Sequence, residues 1–187
     1  MRQPYLTQII INIIPGMDRS IANPTSAIKP PLAINEVSQA IKHDFNYRLV
    51  IGLLNFIENS TRPGAQFAVH QCAQFSADTK LPHNQEVKRF LKYLKGVSLQ
   101  GLIMKPGPEK VTEFYSDYDF AGGWNQEEGK DLRLVISITG YVISYANCPI
   151  IWGNWIQTEI ALSTTEIECI ALYQEIRYIL SFVGLMK

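Results

Sequence analysis

The spacing of apolar residues changes near residue 110, and this change limits the folds that are open to the chain. Upstream, apolar side chains recur at three- and four-residue steps, as in Leu49, Leu53 and Phe56, which is typical of one face of an amphipathic helix. Downstream, the stretch VISITGYVISYA alternates apolar with smaller or polar residues, which is typical of a strand. The sequence therefore predicts an α/β protein, α+β overall, with a helical half followed by a sheet.

Three helices are predicted in the helical half, from about residue 36 to residue 95. Their expected positions are 45–59, the residues that follow Pro63, and 86–95. Pro82 precedes the third helix and Gly96 ends it, since proline favours a first helical turn and glycine a helix end. Residues 2–14 form a short helix or a strand-like segment, and 17–31 is a proline-containing loop or linker.

The third predicted helix has one basic face. It carries Lys88, Arg89, Lys92 and Lys95. Two interpretations stay open: a solvated helix face, or a surface that contacts the backbone of a nucleic acid.

Beyond residue 110 the pattern predicts an antiparallel three-stranded meander over 111–155, crossed by one helix over 164–180. Asp117 stands where the first strand is expected to end, and Glu168 lies in the first turns of the helix. Two carboxylates on rigid elements are a common means of holding a hard divalent cation such as Mg²⁺. We expect their oxygens to approach within about 4–8 Å, although either acid also suits a purely structural position.

Composition narrows the class of protein. The chain has 187 residues, of which 47% are hydrophobic and 18% charged, and its formal net charge is zero. This composition indicates globular structure, and the zero charge gives no electrostatic support for tight phosphate binding. Three scattered cysteines form no disulfide framework, and the apolar run 9–14 is too short to cross a membrane. We expect an intracellular protein, cytoplasmic or nuclear.

Three segments of the second half, in order, carry a resemblance. YSDYDFAGGWN, TGYVISYANCPIIW and QTEIALSTTEIECIAL resemble the ribonuclease H domain of copia-type LTR retrotransposon Pol polyproteins, in which the first motif runs Y-x-D-A-D. The resemblance implies a ribonuclease H-like fold, with Asp117 and Glu168 as catalytic residues and ligands of Mg²⁺ or Mn²⁺. It also implies an RNA–DNA hybrid as substrate. Asp119 belongs to the motif without being a core ligand.

The first half carries a matching resemblance. NYRLVIGLLNFIENSTRPGAQFAVHQCAQF and EVKRFLKYLKG are similar to the connection segment that follows reverse transcriptase in the same family. The implied layout is a reverse transcriptase tail with linker over 1–31, a helical connection over 32–107, and a truncated ribonuclease H-like domain over 108–187.

Departures from the family pattern lead us to expect an inactive fragment. Ile138 and Trp155 stand where relatives carry cations, and the family's third catalytic aspartate and its polymerase aspartates are expected outside this chain. The alternatives are a ribonuclease H that keeps its activity, and a non-catalytic nucleic-acid-binding or assembly remnant that works beside other Pol segments. We further expect the isolated chain to be aggregation-prone or molten, because its last helix carries more apolar residues than one sheet face can cover.

Overall fold

The computed structural model divides the chain into two compact units, Met1–Ile103 and Met104–Lys187. The residues that the structure describes are 2–17, 19, 21–23, 44–119, 136–157 and 163–185. Most of the predicted linker 17–31 and the proposed boundary after residue 31 lie outside them. Among the described helices, none combines the length and the apolar character that crossing a bilayer requires.

The described part of the first unit is helical. Its elements are α1 (Pro4–Ile13), α2 (Tyr47–Thr61), a 3-10 turn (Pro63–Ala65), α3 (Gln66–Ala73) and α4 (Leu81–Gly96). The three predicted helices are confirmed, and the segment 2–14 is helical rather than strand-like. Helix α4 begins before the predicted Glu86 because Pro82 lies within its first turn, where a missing N–H removes no helical hydrogen bond.

Side chains complete the backbone hydrogen bonding at the helix ends of this unit. The Asn46 side chain accepts a hydrogen bond of 3.1 Å from the backbone N–H of Leu49 at the start of α2. Beyond the end of α4, Arg62 Nη2 donates to the carbonyl oxygens of Val97 at 2.8 Å and Ser98 at 3.2 Å. Carbonyls at a helix end lack intrahelical partners, so Arg62 stabilises the termination of α4.

The first unit has its own hydrophobic core. Helices α1, α2, α3 and α4 all contribute buried side chains to it. The members with the lowest exposure include Ile10, Val50, Leu54, Val69, Val87, Phe90 and Leu91. Burial of this kind is the main favourable term in folding.

The second unit is a three-stranded antiparallel sheet with one helix. Its elements are β1 (Thr112–Asp119), β2 (Ile138–Tyr145), β3 (Cys148–Ile156) and α5 (Thr164–Leu185), with strand order β1-β2-β3. The predicted meander and the helix after it are therefore present. Strand β1 continues past its expected end to Asp119, which places Asp117 within the strand.

A tight turn joins β2 to β3 and is fastened to the segment that leads into β1. Ala146 and Asn147 both have left-handed backbone conformations, with φ of 50° and 63°, as a two-residue hairpin turn requires. The N–H of Gly107 donates to the Ala146 carbonyl oxygen at 2.7 Å, and the Ala146 N–H donates to the Val111 carbonyl oxygen at 2.9 Å.

Helix α5 covers one face of the sheet, and the contacts of the helix identify which face this is. The ring of Tyr178 lies 5.1 Å from the ring of Tyr141 on β2, between centroids. Tyr141 is paired across the sheet with Ser116 on β1. Cross-strand partners share a face, and successive residues of a strand alternate between faces. The covered face therefore carries Ser116 and Tyr118 of β1.

Candidate active site on strand β1 and helix α5

Asp117 is exposed on β1 and lies opposite Gly140 of β2. Its Oδ1 accepts a hydrogen bond of 2.9 Å from the backbone N–H of Tyr118. Because Ser116 and Tyr118 point to the face that α5 covers, Asp117 points to the opposite face.

Glu168 lies in the first turns of α5, as predicted, and is exposed. The helix starts there because the Ser163 hydroxyl accepts a hydrogen bond of 3.2 Å from the Glu166 N–H, which satisfies one free donor of the first turn. The Glu168 Oε1 atom accepts a hydrogen bond from the Tyr118 hydroxyl. Glu168 is therefore held on the helix-covered side of the sheet.

The register of β1 assigns the Asp117 side chain to the face opposite the one that holds Glu168, and the expected approach of the two carboxylates stays a prediction. Within the ranges that the structure describes, no group of three or more His, Cys, Asp or Glu side chains could hold a metal ion. A hard divalent cation takes several oxygen ligands at short range. The described residues thus do not fit the Mg²⁺ site that the family resemblance implies.

Tyr118 is the residue that sequence reasoning missed at this site. Aromatic residues in such a stretch are typical of core or turn packing, whereas the Tyr118 hydroxyl contacts Glu168. That hydrogen bond is the main cause that raises the pKa of Tyr118 above its ordinary value, with a smaller contribution from desolvation. The available signal was its position between the two aspartates of YSDYD, where the family motif has alanine.

Ile138 and Trp155, where the family pattern leads us to expect cations, both lie in the sheet. Ile138 begins β2 and is half-buried. The Trp155 ring of β3 lies 5.2 Å from the Tyr141 ring and 5.8 Å from the Tyr178 ring, between centroids. Trp155 therefore adds apolar packing between helix and sheet.

The four basic residues of α4 do not form one open face. Lys88 Nζ lies 2.5 Å from Asp44 Oδ2, and Arg89 is paired with Glu86 three residues earlier. Lys92 and Lys95 are half-buried. Since two of the four cations already have carboxylate partners, the face has less charge to offer a phosphate backbone than its sequence indicates.

Comparison with known proteins relates the chain to retrotransposon polyproteins. It is 33% identical over 122 residues to the Retrovirus-related Pol polyprotein from transposon RE1 of Arabidopsis thaliana, covering 65% of this chain and 8% of that protein. It is 29% identical over 150 residues to the corresponding polyprotein from transposon RE2, covering 80% of this chain and 10% of that protein. The chain thus spans about a tenth of the length of these relatives.

A shorter relative matches over most of its own length. The Secreted RxLR effector protein 161 of Plasmopara viticola is 32% identical over 127 residues, which cover 67% of this chain and 83% of the effector. No protein-family model matches the chain, and no solved structure matches it. The order of the motifs and the similarity to the RE1 and RE2 polyproteins agree, and the chain belongs to the family of copia-type retrotransposon Pol polyproteins.

Proposed function

We propose that the chain is the connection and ribonuclease H part of a Pol polyprotein. The parent polyprotein makes DNA from an RNA template and hydrolyses the RNA strand of RNA–DNA hybrids with Mg²⁺ or Mn²⁺. In that parent, Asp117 and Glu168 take the places of the family's catalytic carboxylates. The similarity to Pol polyproteins supports this origin, as does a carboxylate-bearing helix that packs on an antiparallel sheet with an acidic first strand.

We also propose that these 187 residues do not catalyse hydrolysis. The proposal is supported by the hydrogen bond that the Tyr118 hydroxyl donates to Glu168 and by the register of β1, which assigns Asp117 to the other face of the sheet. Two-metal hydrolysis of a phosphodiester needs carboxylates that hold both ions about 3.5–4 Å apart. Two carboxylates that point to opposite faces of a sheet are poorly placed to share an ion.

Substrate binding is expected to be weak for a related reason. Each lysine or arginine that contacts a phosphate raises affinity at low salt and steepens its salt dependence by about one unit. Ile138 and Trp155 supply no such contact. In the proposed basic surface of α4, Lys88 and Arg89 are already paired with carboxylates, which reduces the charge available to a phosphate.

A cleavage assay tests the proposal. The purified chain and its Asp117→Asn, Glu168→Gln double variant are incubated with an end-labelled RNA–DNA hybrid, with Mg²⁺ or Mn²⁺ present. We expect the same background cleavage from both proteins. Metal-dependent cleavage by the unaltered chain that is absent from the double variant would overturn the inactive assignment and restore the enzyme.

A further inference from the structure

The sheet of the second unit ends in two strands of different character. Among the strands that the structure describes, the order is β1-β2-β3, so β1 and β3 each have one edge that no described strand pairs with. The backbone N–H and C=O groups along such an edge can pair with a further strand. Proteins usually protect these edges with charged side chains, prolines, bulges or a short strand length. The two edges therefore differ according to which of these features each one carries.

The edge of β1 is protected by negative charge. Glu113, Asp117 and Asp119 are spread over its eight residues, and Asp117 is exposed. A second copy of the chain that paired with this edge would bring two sets of acidic residues together, and like charges on opposed strands are destabilising. Pairing of two copies through β1 is therefore disfavoured.

Strand β3 lacks this protection over most of its length. It has nine residues, CPIIWGNWI, and none of them is charged. Its proline, Pro149, lies at the start of the strand, where the register with β2 also shifts, between Ile143 and Ser144. From Ile151 to Ile156 the pairing with β2 is regular, and most of these residues are β-branched or aromatic, which favours a strand. An uncharged run of this kind, without proline, is typical of segments that pair edge to edge.

Helix α5 leaves the outer edge of β3 accessible. The main contacts of α5 are with β1 and β2, and the Tyr178 ring reaches β3 at Trp155, with 5.8 Å between the ring centroids. Residues 149–156 are all half-buried, which is typical of a strand with one partner. A further strand can therefore approach this edge without displacing α5.

We propose that the outer edge of β3 pairs antiparallel with β3 of a second copy of the chain, which joins two three-stranded sheets into one sheet of six strands. An antiparallel pair of identical strands has two-fold symmetry, so both copies use the same surface and the contact closes on itself. Because β3 is uncharged, no like charges meet along it. The inference goes beyond the proposed function and does not depend on it.

The size of the contact sets the expected affinity. Pairing of one strand from each copy buries less surface than a standard protein interface does. We therefore expect a dimer with a dissociation constant on the order of 10–100 μM. Sedimentation velocity over a concentration series measures this constant. All chains in the experiment carry Leu172→Gln and Leu180→Gln, which reduce association through the exposed side chains of α5.

A charge swap at Asn154 tests the pairing. Asn154 is half-buried near the middle of the regular part of β3, so in a symmetric pair it lies close to Asn154 of the second copy. Asn154→Lys and Asn154→Asp each place like charges there, and each should raise the dissociation constant at least about threefold. An equal mixture of the two variants places opposite charges there and should recover the affinity of the chain with Asn154.

Matched controls carry the same charges on the other edge strand. Thr112 is exposed at the start of β1, so Thr112→Lys, Thr112→Asp and their mixture should all leave the dissociation constant unchanged. Hydrogen exchange measured on the chain with Asn154 gives a second readout that needs no change in β3. Amides of 148–156 should exchange more slowly as the dimer forms, and those of 112–119 should not.

The expected result is recovery of the dimer in the mixed Asn154 variants, together with concentration-dependent protection of the β3 amides. A mixture that stays as weak as either variant alone overturns the inference, and so does protection of β1 in place of β3. A chain that stays monomeric at every concentration overturns it as well. None of these measurements involves a nucleic acid, so failure here is distinct from failure of the proposed function.

Discussion

At the scale of single residues, Glu175 is the least expected side chain in the second unit. It belongs to α5 and is 0% exposed, and neither carboxylate oxygen accepts a well-formed hydrogen bond within the described ranges. Burial raises its pKa above the ordinary value, and the nearby Ser116 hydroxyl lowers it in part. The folded state therefore binds the Glu175 proton more tightly than the unfolded state.

The raised pKa predicts that the second unit loses stability as pH rises. The stabilising contribution of the bound proton is complete below the unfolded pKa of glutamate, about 4.3, and is lost as pH rises through the higher folded-state pKa. Glu175→Gln stays neutral, so it should flatten this dependence and raise the free energy of unfolding at pH 7 by about 1–3 kcal/mol. Urea unfolding of dilute protein between pH 4 and pH 8 measures both effects. The exposed Glu109→Gln is the control, and equal pH slopes for all three proteins would contradict the prediction.

Gly153 makes room for the aromatic contacts under α5. A Cβ added there would lie 2.5 Å from Cε1 of Tyr141, closer than such contacts allow, so the Tyr141 ring would have to move away from Tyr178. We expect Gly153→Ala to lower the free energy of unfolding of this unit by about 1–3 kcal/mol. In Gly184→Ala the added Cβ meets nothing within 4 Å, and this control should be neutral or stabilising. A Gly153→Ala protein as stable as the control would show that the ring moves without cost.

At the scale of helices and strands, apolar spacing predicts where α2, α3, β2, β3 and α5 lie, because burial of one face sets the period. The ends are less predictable. Strand β1 continues to Asp119, and the face that Asp117 takes follows from its register with β2. The Tyr118–Glu168 contact depends on that register and on how α5 crosses the sheet, and neither is encoded in local sequence. The roles of Asp117 and Glu168 themselves stay a prediction.

Helix α5 exposes more apolar surface than its packing covers, as the sequence suggests. Side chains with large exposed fractions are Leu172 at 55%, Ile176 at 43%, Leu180 at 66%, Val183 at 41% and Leu185 at 84%. Exposed apolar surface of this extent favours self-association. We predict that the chain self-associates as its concentration rises. The double variant Leu172→Gln, Leu180→Gln should self-associate less.

Light scattering over a concentration series measures that association. Leu99→Gln is the control, since Leu99 is also exposed, at 73%, and belongs to the other unit. A chain that remains monomeric at every concentration and unfolds in one sharp thermal transition would contradict the expectation.

At the scale of the whole molecule, each unit has side chains that stabilise it from within. The hydrophobic core of the first unit takes its buried members from described residues between Ile10 and Leu94. All three tryptophans lie between residues 124 and 155. Tryptophan fluorescence therefore reports on the second unit, whereas most of the described helices that circular dichroism reports on are in the first.

A core substitution in the first unit should separate these two signals. Leu91 is 0% exposed in α4, so Leu91→Ala should lower the free energy of unfolding of the first unit by about 2–5 kcal/mol. The circular dichroism transition in urea then moves to lower concentration, and the fluorescence transition stays in place. Leu99→Ala, at a 73% exposed position, should move neither. Equal shifts of both signals in Leu91→Ala would show that the units unfold together.

The fastening of the β2–β3 turn has a mechanical consequence for a segment of a long polyprotein. Tension that enters the second unit from its amino-terminal side first meets the bond between the Gly107 N–H and the Ala146 carbonyl oxygen. The bond between the Ala146 N–H and the Val111 carbonyl oxygen follows a few residues later. Both bonds hold one turn, so a pull along the chain is resisted at the tip of the hairpin before it can peel β1 from β2. The two hydrogen bonds at the turn therefore protect the pairing of β1 with β2 when the chain is pulled.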